Sequence, residues 1–145
     1  MIHMIQELSG QKLRELSMLL DTTISVLVVD DSETMQRIVC KLLRSIGFEN
    51  LECAGNGMEA LQKLHEKKFG LVISDWYMEP MNGLLLTQRM RVESALRHIP
   101  VILISTAAKA DNVIAAKEAG ANAYIVKPFS AESLKTKIED VLVAD

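Results

Sequence analysis

The chain has 145 residues and a mass of 16.1 kDa, is 49% hydrophobic and 24% charged, and carries a formal net charge of −3. That is enough sequence for one soluble domain with a proper hydrophobic core. The slight acidity, without a Lys/Arg cluster able to neutralise a run of phosphates, argues against a nucleic-acid surface, and no apolar stretch approaches the roughly 20 residues needed to span a bilayer.

Residues 1–22 come first. Ile2, Ile5, Leu8, Leu13, Leu16 and Leu20 make a helical stripe, broken by Ser9-Gly10 in the middle. An N-terminal helical extension is expected, packing on the domain or pairing with a second copy as a homodimer. The plainer alternative is a leader that only lengthens the chain. With Glu7, Lys12, Arg14 and Glu15 in its turns and no cleavage site, it is not a signal peptide. A cytoplasmic location follows.

Residues 23–145 form the domain proper. There, short apolar runs alternate with helical patterns, as in a parallel sheet covered on both faces. Ile24–Val29 reads as the first strand. Met35, Ile38, Val39, Leu42, Leu43 and Ile46 then mark one face of a helix that Gly47 ends. A strand over Glu49–Ala54 precedes Asn56-Gly57, where Asn56 caps a helix to about Lys67 and Glu59 stands in capping-box position. Gly70–Asp75 is the third strand and Gly83 to about Val92 the third helix. Ile99–Ile104, Asp111–Ala119 (stopped by Gly120) and Ala123–Val126 follow as strand, helix and strand. Ser130 caps the last helix, whose buried face is Leu134, Ile138, Val141 and Leu142. The pattern is a doubly wound (βα)5 unit with right-handed crossovers. Cys40 and Cys53 fall in a helix and a strand, and two buried free thiols are expected rather than a disulfide.

Most of the unusual polar residues lie just past the carboxyl ends of strands: Asp30-Asp31, Asp75, Ser105-Thr106 and Lys127-Pro128. In an open α/β sheet, ligands bind in the crevice beyond those ends. Two unscreened carboxylates about 4 Å apart repel by roughly 4 kcal/mol at an effective dielectric near 20. The cluster therefore needs a raised pKa or a counter-ion. An all-oxygen set suits Mg²⁺, whereas zinc wants His or Cys, and none is placed here. An isolated Asp-Asp pair is most simply a capped helix start. Asp75, Ser105 and Lys127, each at the end of its own strand, turn the pair into a site. Lys127 can hold a phosphoryl oxygen and Ser105 can donate to another. One carboxylate can then become an aspartyl phosphate, and Asp75, on the central strand, is the choice. A cis Lys127–Pro128 bond would re-aim the lysine, and the alternative is an ordinary trans proline before Phe129.

The segments VLVVDD, ISDW with MEPMNG after Tyr77, PVILIST and AYIVKPF resemble the receiver domain of bacterial two-component response regulators, over about Ile24–Val143. The likeness is to the single-domain, chemotaxis type. It implies the flavodoxin-like strand order 2-1-3-4-5 and a signalling role without enzymatic activity. By this resemblance Asp75 accepts phosphate from a sensor histidine kinase or a histidine phosphotransfer protein. Asp31 and Asp75 would ligate Mg²⁺ directly, Asp30 through water, and the main-chain carbonyl of Tyr77 would complete the set. Ser105 takes the hydroxyl switch position, with Thr106 one residue late, and Tyr124 takes the aromatic one. The face of the fourth helix, fifth strand and fifth helix would bind a downstream target protein, since no output segment follows the last helix.

Tyr77 and Ala107 stand two residues after Asp75 and Ser105, beside the path of water to an acyl phosphate. They are expected to modulate phosphoryl lifetime, with the Tyr77 ring as a shield; the alternative for Tyr77 is a solvent-exposed aromatic with no kinetic role. The chain departs from the family in having Glu79-Pro80 where proline normally comes four residues after the acceptor, and Asn82-Gly83 in place of Asp-Gly. Trp76 is expected near the pocket as a fluorescent reporter. His3, His65 and His98 read as scattered surface residues. Two other classes of function compete. A phosphatase turning over through an aspartyl phosphate would want Asp-x-Asp on the first strand, and Asp30-Asp31-Ser32 lacks that spacing. A flavodoxin-type cofactor binder is disfavoured because Asp30-Asp31 would repel the cofactor phosphate.

Overall fold

The computed structural model describes Gly10, residues 19–106 and residues 110–143. Three segments, Val26–Val29 (β1), Leu71–Asp75 (β3) and Val101–Ser105 (β4), are buried at every position, as strands that begin with Val/Ile/Leu runs and are covered on both faces should be. Leu51–Ala54 (β2) and Ala123–Val126 (β5) complete a parallel sheet ordered β2-β1-β3-β4-β5. The helices are Glu33–Ile46 (α1), Gly57–Glu66 (α2), Gly83–Val92 (α3), Ala110–Ala119 (α4) and Ala131–Leu142 (α5). Strand side chains alternate between two cores. Leu27, Val29, Val72 and Leu103 pack with Leu64, Leu86 and Met90 on one face. Val26, Val28, Ile73 and Ile102 pack with Leu43, Leu134 and Ile138 on the other. Among the described residues no helix is long and apolar enough to cross a membrane.

The expected flavodoxin-like order is the one observed, and most boundaries agree. Gly47 and Gly120 close α1 and α4 with φ of 127° and 100°, a left-handed geometry that glycine adopts without a Cβ penalty. Ser130 caps α5 as expected. Both Lys127–Pro128 and Glu79–Pro80 are cis, the second unanticipated.

Three expectations need correction. The buried face of α1 is Val39, Cys40 and Leu43, while Ile38 is exposed; the helix is rotated because Cys40, not Ile38, faces β2. Glu59 does not close a capping box on Asn56. Its carboxylate accepts from the Gly55 N–H at 2.9 Å, one residue earlier, while Asn56 accepts from the Glu59 N–H at 3.0 Å. Ser105 is the last residue of β4 rather than lying past it, because its strand pairs on to Val126. The N-terminal helix falls almost wholly outside the described residues, and its last part, from Leu19 on, forms turns that bury Leu20 against the α1–α5 face.

One residue holds the amino-terminal end of the sheet together. Arg91, in the last turn of α3, donates to the carbonyls of Gly120 (2.9 Å), Ile99 (2.8 Å) and Arg97 (3.2 Å) and to Asn122 Oδ1 (2.9 Å). That same Asn122 oxygen accepts from the Val101 N–H. A planar fork of donors is well suited to gathering several loop carbonyls at once.

Candidate functional site

The carboxyl edge of the sheet collects the residues singled out above. Asp30 and Asp31 follow β1, Asp75 ends β3, Ser105 ends β4 and Lys127 follows β5. Asp30, Asp75 and Ser105 are buried and Asp31 is exposed. One oxygen from each of the three carboxylates lies within 4.8 Å of the others. Lys127 Nζ reaches Asp75 Oδ1 at 2.8 Å and Asp30 Oδ2 at 3.8 Å. Its own N–H donates to the Ser105 carbonyl at 2.8 Å, which ties the β4 and β5 ends together.

Local sequence explains why these groups converge. Asp30 continues the β1 ladder by donating its N–H to Ala54 O (3.0 Å), while its Oδ1 accepts from the Ser32 N–H (2.9 Å). Ser32 in turn caps α1, accepting from the Met35 N–H. Gln36, one turn into α1, donates through Nε2 to Asp30 O at 2.7 Å and Ala54 O at 3.3 Å, bridging the ends of β1 and β2. The loop after Asp75 is seated by two glycines at close backbone approaches. A Cβ on Gly83 would lie 2.3 Å from Asp75 O, and one on Gly57 would lie 2.5 Å from the Met81 side chain. Gly57 N–H donates to Met81 O, and Gly83 N–H to Trp76 O. Gln36 and Gly57 were not singled out from the sequence as parts of the site, and Gly83 was read only as a helix start. A glutamine in a first helical turn carries no spacing signature.

The electrostatics are those of a cation site. Burial, foremost, raises the Asp30 carboxyl above its ordinary value; the charges of Asp75 and Asp31 add to this, against the Ser32 N–H and the Lys127 ammonium. Three carboxylates facing one ammonium leave two negative charges uncompensated, which a divalent cation with oxygen ligands matches.

Around this edge the other expected residues take definite places. Tyr77 is exposed and lines a cleft of about 440 Å³ with Asp31, Met78, Glu79 and Asn82. Trp76 is buried between Tyr77, with ring centres 6.1 Å apart, and Tyr124, edge-on at 5.8 Å. An aromatic path thus runs from the mouth of the cleft to β5. Thr106 is exposed just beyond Ser105, and Ala107 lies outside the described residues. A larger cleft of about 640 Å³ opens at the amino ends of β3 and β4, lined by Leu64, Phe69, Leu96 and Ile99 among others. It holds none of the converging acids, and in an open α/β sheet the crevice at the carboxyl edge is the one that binds ligands.

The model of the response regulator receiver domain matches residues 26–139. The chain belongs to the response regulator receiver family. This receiver is 44% identical to the chemotaxis protein CheY of Pseudomonas aeruginosa over 116 residues, 80% of this chain and 94% of that protein. It is 42% identical to chemotaxis protein CheY-3 of Vibrio cholerae over 123 residues, 85% of this chain and 95% of that one. Its fold superposes on the crystal structure of Vibrio cholerae CheY4 with a TM-score of 0.77 at 32% identity, covering 83% of the receiver and 99% of that chain. As a family member it is a two-component signalling protein.

Proposed function

We propose that this receiver is a phosphorylation-dependent switch in which Asp75 is the phosphoacceptor. The observation that carries this reading is the 2.8 Å contact of Lys127 Nζ with Asp75 at an edge where two further carboxylates converge. A phosphohistidine on a sensor histidine kinase or a phosphotransfer protein is the donor. An Asp75 carboxylate oxygen attacks the phosphorus, the P–N bond breaks, and the imidazole leaves with the bonding pair. Asp31 and Asp75, Asp30 through water and the Tyr77 carbonyl would hold Mg²⁺, which when bound neutralises charge on the transferring phosphoryl group. Lys127 moves its ammonium from the carboxylate to a phosphoryl oxygen, and the Ser105 hydroxyl donates to another.

Drawing Ser105 toward the phosphoryl group makes room along β4, and Tyr124 follows. The face of α4, β5 and α5 is then remodelled for a downstream target protein. Relatives of 44% and 42% identity that are chemotaxis proteins favour a chemotactic pathway over a relay. The Tyr77 ring, with Ala107, governs how readily water reaches the acyl phosphate. Residues 1–22 act as an extension before the receiver; comparing the solution mass of the full chain with one starting at Thr22 tests whether they make a homodimer.

The test is incubation with a phosphohistidine donor or acetyl phosphate and Mg²⁺, followed by intact-mass measurement. One persisting phosphoryl group that Asp75→Asn abolishes is expected. Repeated turnover of phosphoester with no persisting adduct would instead make the protein an aspartyl-phosphate phosphatase.

A further inference from the structure

The chain has two cysteines, 13 positions apart, and the fold brings them together: Cys40 Sγ on α1 lies 3.6 Å from Cys53 Sγ on β2, both as free thiols. β2 is an edge strand and Cys53 is half-buried on it, whereas Cys40 is buried beneath. We propose that Cys40 and Cys53 form a site of reversible oxidation, closing a disulfide between α1 and β2 that weakens cation binding at the neighbouring acidic edge.

The chemistry has a definite order. Burial, and then the neighbouring Cys53 sulfur, push the Cys40 thiol up to about 12, so it is inert as the first nucleophile. Cys53, the more accessible sulfur, attacks a peroxide oxygen; the O–O bond breaks, hydroxide leaves, and a sulfenic acid forms. Cys40 sulfur then attacks the Cys53 sulfur, the S–O bond breaks, and the departing hydroxide takes the Cys40 proton as water. In sum two thiols lose two hydrogens and one peroxide becomes two waters. A small-molecule disulfide serves as oxidant equally well by thiol exchange.

The coupling follows from what lies next to each sulfur. A disulfide needs an S–S distance of about 2.05 Å, so the sulfurs must close the difference from 3.6 Å, and what side-chain rotation does not supply comes from α1 moving toward β2. Gln36 stands one helical turn before Cys40 on the same face of α1, and Ala54 follows Cys53. Gln36 Nε2 is the bridge between Asp30 O and Ala54 O. Pulling Cys40 toward Cys53 shifts that bridge and the backbone of Asp30, one of the three converging acids. The coupling rests on the cation-site reading above; the disulfide itself does not.

The full-length protein, treated with hydrogen peroxide or oxidised glutathione under native conditions, is expected to lose two hydrogens by intact mass. Non-reducing peptide mapping should join Cys40 to Cys53, and dithiothreitol should reverse the change. Mg²⁺ titration followed by Trp76 fluorescence should then show binding at least fivefold weaker in the oxidised form. Cys53→Ser should bind Mg²⁺ as the reduced parent does, with or without peroxide. A dithiol that survives excess oxidant, or a Cys53 that stops at sulfinic acid, overturns the proposal. A disulfide that leaves Mg²⁺ affinity unchanged overturns the coupling. If neither the reduced parent nor Cys53→Ser binds Mg²⁺, the cation-site reading fails and takes the coupling with it, while the mass and mapping results still decide the disulfide.

Discussion

Replacing Asp30 by Asn should stabilise the metal-free protein and weaken its response to Mg²⁺. Asp30 is only 4% exposed, and its carboxylate faces those of Asp75 and Asp31 within 4.8 Å. Each like-charge pair at that distance costs about 3.5 kcal/mol at an effective dielectric near 20. Lys127 at 3.8 Å returns about 4.4 kcal/mol on the same basis. The balance is repulsive by about 2–3 kcal/mol before desolvation, and relaxation and the exposure of Asp31 cut it further. Asn keeps an oxygen to accept the Ser32 N–H. A gain of about 1–2 kcal/mol is expected in EDTA at pH 7, or about 3–8 °C in Tm for a domain of this size.

The pH dependence has a fixed sign. Because the folded protein raises the Asp30 carboxyl, the native state holds that proton more tightly than the unfolded chain. Stability therefore falls as pH rises from the ordinary value of 3.8 through the raised one. The advantage of the Asn variant should be full above that window and vanish below it. With Mg²⁺ at tenfold its Kd, the parent gains about 1.4 kcal/mol by linkage. Losing a ligand that acts through water weakens metal affinity by about 10–100-fold, so at the same concentration the variant should gain little. Thermal melts in EDTA and in Mg²⁺ across pH 3–8 measure all of this. A variant less stable than the parent in EDTA at neutral pH, or one that responds equally to Mg²⁺, refutes the reasoning.

Gly83→Ala forces a methyl to 2.3 Å from Asp75 O. It should cost roughly 3 kcal/mol or more by urea unfolding and slow labelling of Asp75; near-parent stability would show that the loop yields. Arg91→Ala takes a donor from three loop carbonyls at the far end of the sheet and leaves Asn122 Oδ1 with the Val101 N–H. It should cost about 2–4 kcal/mol while leaving Mg²⁺ affinity at the parent value in Trp76 fluorescence titrations; a changed affinity would mean the two ends of the sheet are coupled. Tyr77→Asn should shorten the life of the phosphorylated form several-fold, measured by decay after removal of the donor, and an unchanged rate rules out shielding by the ring.

The sheet was legible because Val26–Val29, Leu71–Ile73 and Val101–Ile104 are short apolar runs spaced between helical patterns, as strands covered on both faces require. The acids were legible because strand ends in such a sheet share one edge. Spacing cannot reveal distances between elements, and the missed features are of that kind. The rotation of α1 toward Cys40 depends on β2 lying beside it, and the reach of Glu59 to Gly55 depends on how the chain enters α2. Gln36 and Arg91 act through carbonyls that are distant in sequence, by 18 residues for Gln36 with Ala54 and by 29 for Arg91 with Gly120. Gly57 and Gly83 are glycines for lack of room, and the atoms that crowd them, Met81 and Asp75 O, lie on another segment of the fold.

The most direct measurement is to locate the phosphoryl group itself. After exposure to acetyl phosphate and Mg²⁺, borohydride reduction converts an aspartyl phosphate to homoserine, which peptide mass spectrometry can place. Homoserine at position 75 alone, absent with EDTA and absent in Asp75→Asn, is the predicted result. Homoserine at another acid, or none despite measured Mg²⁺ binding, would contradict Asp75 as the acceptor.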